Sequence, residues 1–318
     1  MILTSEVIAY SALQGSMVLI GGIVFYSSLK IFWQWDYNAR IERQFELEKR
    51  SFLLSALIRL MVITNLFLFF FYIYIIDDLS LYIKSAMCGV GVVNGMEEGW
   101  SAIFIKIASL FIAGFWLLLD LEDRKTLDHR FVKKKYGLYL VVYVMLLVDA
   151  TFSLYSLYSV EAQRLVSCCS ILFSKNIVDE MSLERFGVGV WLYGVYFALI
   201  LSLFIKRLRV YAYPVLALVL LVYGGFGLVY FVSPYIYELP THTCPFCMLQ
   251  GEYGYIGYLF YATLLGGGFF GLGGGFLRLI VKKDVDRYFY ISAMFFTLFM
   301  AFCSYAVFGY YLKNGVWL

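Results

Sequence analysis

Charge and histidine are both scarce in this chain. Only 15% of its 318 residues are Asp, Glu, Lys or Arg, while 62% are hydrophobic and 20% aromatic. A soluble surface of this size needs more charge than that, so a soluble globular class is excluded. The net charge of +3 is small and gathered in particular loops, which speaks against nucleic acid as a partner. There is no Walker motif, no Ser-His-Asp set with an outward histidine, and no stretch long enough for a separate soluble substrate domain. The two histidines, His129 and His242, do not suit a bis-His haem inside a bundle. No Lys or Arg precedes the first apolar run, so that run is expected to be a retained span rather than a cleaved signal peptide.

What the chain does have is apolar length. Its mean hydropathy is +0.80, and runs of about 20 apolar residues recur, enough to cross a bilayer core. The pattern predicts an all-α polytopic membrane protein, one integral domain over 1–318. Its eight spans are expected at about 7–33, 52–76, 100–119, 137–159, 186–205, 210–232, 255–281 and 288–312, with membrane lipid around them. Residues 34–51 read as a short amphipathic helix at the surface, separate from span two. Most Lys and Arg fall in the connectors after spans one, three, five and seven, such as Arg124, Lys125, Arg130 and Lys133 to Lys135. By the positive-inside rule these loops are cytoplasmic and both termini face outward, as in a bacterial-type inner membrane.

That topology sorts the cysteines. Cys88, Cys168, Cys169, Cys244 and Cys247 all fall in outward connections, and Cys303 lies within the eighth span. The outer face of a bacterial inner membrane is oxidising, so disulfides can persist there. The sharpest signal is His242-Thr243-Cys244-Pro245-Phe246-Cys247, just before the seventh span. Two residues between thiols suit a redox pair at a helix start, where the dipole favours a thiolate and a proline fits the first turn. His242 is placed to share a proton with Cys244. Met248 follows the second cysteine, which disfavours haem attachment. Three readings stay open at this point: a catalytic dithiol, a structural disulfide, or a Zn or Cu(I) site on Cys244, Cys247 and His242.

A dithiol at the outward start of a membrane helix, with further cysteines in other outer loops, resembles the arrangement in vitamin K epoxide reductases and quinone-coupled disulfide-forming proteins. The resemblance implies that Cys244 and Cys247 form the quinone-side pair, and that Cys88, Cys168 or Cys169 relays electrons from a periplasmic thiol protein. It covers about ten residues, and those families have four or five helices in their core. Whether the chain is an enzyme, a soft-metal transporter or assembly factor, or a subunit held to other membrane subunits therefore stays open.

Some residues inside the spans also stand out. Asp149 falls near the middle of the fourth span, where a carboxylate is costly and needs a partner; Lys106, at similar depth in the third, is the expected one. An interhelical ion pair and a proton-path or ligand role both fit that placement. Arg59 is expected to snorkel from the inner end of span two, and Asn65 to bond a neighbouring helix. The glycines around 266–275 predict close helix packing. The tyrosines about the cysteine loop, including Tyr237 and Tyr261, read as an interfacial belt, with a cradle for a quinone head group as the alternative.

Overall fold

A computed structural model of the protein describes residues 4–36, 42–83, 86–125, 130–161, 178–281 and 285–318. It is 86% helix, with no strand among the described residues. Eight helices are long and apolar enough to cross a membrane. This is the architecture of a multi-pass helical membrane protein. The chain divides into two compact units, Met1–Val166 and Ser167–Leu318.

The first unit holds α1 (Ser5–Gln34), α2 (Glu42–Leu79), the short α3 (Gly89–Gly95), α4 (Gly99–Asp123) and α5 (Val132–Tyr158). Thr4 caps α1, its hydroxyl accepting from the Val7 N–H. The α2 helix departs from expectation. No separate amphipathic segment precedes span two, because residues 42–79 contain neither glycine nor proline and the helix runs unbroken through the charged stretch. Helix α5 packs against α1 and α4, and α2 packs against both of those.

The unit is apolar outside, and within its largely apolar core it gathers a set of polar side chains. Leu19, Phe52 and Leu60 face outward, whereas Gln14, Asn65, Lys106, Asp149, Ser153 and Ser156 are buried. That placement suits lipid, which solvates hydrocarbon but offers nothing to a polar group. Buried polar groups accordingly find one another. The Asn65 amide donates to Ser109 Oγ (3.0 Å). Near the α4–α5 turn, buried Lys135 bridges Asp120 (3.1 Å) and Asp123 (3.0 Å). Arg59 reaches the same Asp120 at 3.2 Å, so it is held by a carboxylate from α4 rather than simply snorkelling to the surface.

The second unit holds α6 (Val178–Phe204), α7 (Lys206–Gly227), the short α8 (Ser233–Tyr237), α9 (Ile256–Val281) and α10 (Asp286–Asn314). A π-helical turn, Leu228–Val232, joins α7 to α8 without a break. Helix α7 packs against α6 and α9, and α9 against α10. The glycines of α9 allow both contacts. A Cβ at Gly271 would lie 2.6 Å from the Ala217 Cβ of α7 and 2.9 Å from the Ser292 Oγ of α10. Ser292 also donates to the Gly267 carbonyl (2.6 Å), a hydrogen bond across the helix pair that only close approach permits.

Candidate thiol site

The segment from Glu238 to Tyr255 connects α8 to α9 and carries the Cys-Pro-Phe-Cys motif. Glu238 (φ 53°) ends α8 and Tyr255 (φ 57°) precedes α9, both in the left-handed region that non-glycine residues seldom occupy. Between them the chain makes tight turns: His242 N–H donates to Leu239 O, and a 3-10 turn spans Cys247–Leu249. A second, Gly251–Tyr253, follows before α9 begins at Ile256. The expected helix start is therefore misplaced. Cys247 opens a three-residue 3-10 turn well ahead of α9, and the left-handed Gly254 (φ 64°) and Tyr255 keep the turns from running on into that helix. Neither the dipole of a membrane helix nor a first-turn role for Pro245 accounts for this motif.

Side chains from α8 and α9 hold the loop instead. The Tyr237 hydroxyl donates to the Cys244 carbonyl and accepts from the Met248 N–H (3.0 Å), so one oxygen clamps the motif on both sides. Its ring lies 4.3 Å, centroid to centroid, from that of His242 and 4.7 Å from that of Tyr253. The Tyr261 hydroxyl donates to the Pro245 carbonyl (2.8 Å). The Arg185 guanidinium, from α6, donates to the Pro240 carbonyl. The start of α9 presses on the loop from below: a Cβ at Gly257 would come within 2.5 Å of Met248 Cγ and 2.8 Å of its carbonyl oxygen.

The result is a shielded pair. Cys244 is 2% exposed and Cys247 7%, and their sulfurs lie within 4.8 Å of each other. His242 belongs to the same loop, with its ring against Tyr237. Cys88 lies in the first unit, where it precedes α3 and is buried. Cys168 and Cys169 lie outside the described residues, as does His129. Cys303 is buried within α10.

In the first unit the structure brings Lys106 and Asp149 together, with Nζ 2.9 Å from each carboxylate oxygen and both side chains fully buried. Tyr237 and Tyr261, expected in an aromatic belt, are both bonded to the backbone of the motif. Their closeness to the motif in the sequence was visible, but nothing in it marked their hydroxyls as ligands of the loop. The chain matches no protein-family model, no curated protein and no solved structure.

Proposed function

We propose that the protein is a thiol–disulfide oxidoreductase of a bacterial-type inner membrane. In this reading the termini and the Cys244–Cys247 loop face the periplasm, and a membrane quinone accepts the electrons. Oxidation of the two thiols forms one S–S bond and releases two electrons and two protons, which convert a quinone to its quinol. A periplasmic thiol protein then reduces the new disulfide by exchange, with Cys88, Cys168 and Cys169 as relay thiols.

The observation that carries the reading is the clamped pair itself. Two sulfurs within 4.8 Å are close enough for side-chain rotation to reach the ~2.04 Å of a disulfide bond. The loop around them is fixed by Tyr237 and Tyr261, so both redox states would share one scaffold. The sorting of basic residues among the loops supports the outward placement. In a quinone-reduction assay on the purified protein, Cys244→Ser should abolish turnover while leaving the helical circular dichroism spectrum unchanged. A fully active variant would sink the proposal.

The same separation favours a second reading. Two thiolates bound to one zinc at about 2.3 Å each stand roughly 4 Å apart in tetrahedral geometry. His242 is the nearest imidazole in sequence to complete such a donor set. Stoichiometric Zn or Cu in the purified protein, lost on thiol alkylation, would replace the redox reading with a soft-metal carrier or assembly role.

A further inference from the structure

The first unit carries a second centre with chemistry of its own, at the Lys106–Asp149 pair. A buried ion pair inside a membrane bundle is expensive, and a pair of apolar side chains would fill the space at lower cost. Its surroundings are more elaborate than charge neutralisation requires. From α1, the Gln14 amide donates to Asp149 Oδ2 (3.3 Å), while its own Oε1 is buried with no hydrogen-bond partner. Two tyrosine rings face the ammonium, Tyr10 of α1 at 5.4 Å and Tyr72 of α2 at 5.3 Å. These groups stabilise Lys106 whether or not the carboxylate beside it is charged.

From Asp149 a file of hydroxyls climbs one face of α5 toward the end of the unit that bears α3. Ser153 Oγ donates to the Asp149 carbonyl, Ser156 Oγ to the Ser153 carbonyl, and Ser159 Oγ to the Ser156 carbonyl. The Tyr72 hydroxyl shares a 2.7 Å hydrogen bond with Ser156 Oγ. The file ends at exposed Glu97, whose N–H donates to Ser159 Oγ (2.9 Å) and whose carboxylate accepts from Tyr155. A serine bonding back to its own helix is ordinary. The three serine bonds end on main-chain carbonyls, and within the file only Tyr72 and Ser156 join hydroxyl to hydroxyl.

In the other direction the file stops. Next to the Asn65–Ser109 pair is a cavity of about 10 Å³, lined mainly by Ile58, Met61, Val62, Ala113, Val142 and Leu146. That is room for one water at most, with few polar partners to hold it.

We propose that Asp149 is a proton-binding site whose charged and protonated states are both provided for by Lys106 and Gln14. A proton from bulk water adds to one oxygen of the Asp149 carboxylate. No electrons move and no bond breaks except those to the travelling proton. In the charged state Asp149 pairs with Lys106 and accepts from the Gln14 amide N–H. In the protonated state Lys106 stays between the Tyr10 and Tyr72 rings, and the Gln14 amide turns over so that Oε1 accepts the new O–H. The unpartnered Oε1 thus acquires a use, and the ion pair becomes one of two states of a switch. This proposal does not rest on the thiol reading and survives its failure.

Infrared difference spectroscopy of the protein in lipid vesicles tests it. Stepping the pH downward should produce a carboxylic C=O stretching band from a site shielded from water. The band should move in Asp149→Glu and vanish in the double variant Lys106→Gln/Asp149→Asn, which keeps two amides in place of the charges and so protects the fold. A spectrum with no buried carboxylic band at any pH at which the protein stays folded would overturn the proposal, as would a band that persists in the double amide variant.

Discussion

Replacing Tyr237 by phenylalanine deletes one oxygen atom and leaves two buried backbone groups without their partner. The Cys244 carbonyl loses a donor and the Met248 N–H loses its acceptor. An unsatisfied buried polar group costs about 1–3 kcal/mol, so the loop should be destabilised by about 2 kcal/mol at the low end. The ring remains and still packs on His242 and Tyr253, which confines the loss to the hydrogen bonds. Cys244 and Cys247 are buried, so a water-soluble alkylating reagent reaches them only when the loop opens. At about 1.4 kcal/mol per factor of ten, their alkylation should accelerate roughly 30-fold or more in Tyr237→Phe. Mass-spectrometric labelling reads this directly, with the buried thiol of Cys303 in α10 as the internal control that should not change. A rate within about threefold of wild type would refute the view that Tyr237 holds the site closed, since no opening step would then depend on its hydroxyl.

Two further substitutions probe the packing of each unit. Lys106→Met removes the partner of the buried Asp149 carboxylate and should cost about 3–5 kcal/mol in detergent unfolding assays at alkaline pH, less at a pH where Asp149 takes up a proton, whereas Lys106→Met/Asp149→Leu should recover most of that loss. Gly257→Ala forces a methyl group against the Met248 carbonyl and should destabilise by about 1–3 kcal/mol, read as a lower melting temperature. The control Gly309→Ala, with nothing within 4 Å of the added carbon, should be neutral or stabilising by up to about 1 kcal/mol.

The spans were legible because lipid imposes a length, and apolar runs of that length leave little else for the chain to do. Their ends were less so. At residues 34–51 a change in composition suggested a boundary, yet helix continuity depends on backbone compatibility. Nothing from Glu42 to Leu79 interrupts a helix. The start of the seventh span was legible, expected at 255 and found at Ile256; what the spacing did not reveal is that the Cys244–Cys247 motif lies in a turn ahead of it. The spacing of Cys244 and Cys247 identified the site, and the depth of Asp149 suggested Lys106 as its partner. The clamp by Tyr237, the Tyr261 bond to Pro245 and the hold of Asp120 on Arg59 were hidden. Each is a tertiary bond from a residue type with several common roles, and only the fold selects among them.

The unbroken α2 has a mechanical consequence. Its 38 residues extend to about 57 Å, nearly twice the ~30 Å thickness of a bilayer's hydrocarbon core. No plausible tilt hides that length, so part of the helix stands in water, and its charged beginning, stiffened by the Arg50–Glu46 pair, is the part suited to do so. A rod without a hinge behaves as a lever: a tilt of about 5° pivoting at one tip would sweep the other through about 5 Å. Rearrangement among the buried side chains that α2 contributes, Tyr72 included, is therefore linked by one rigid body to the position of a charged stalk beyond the lipid.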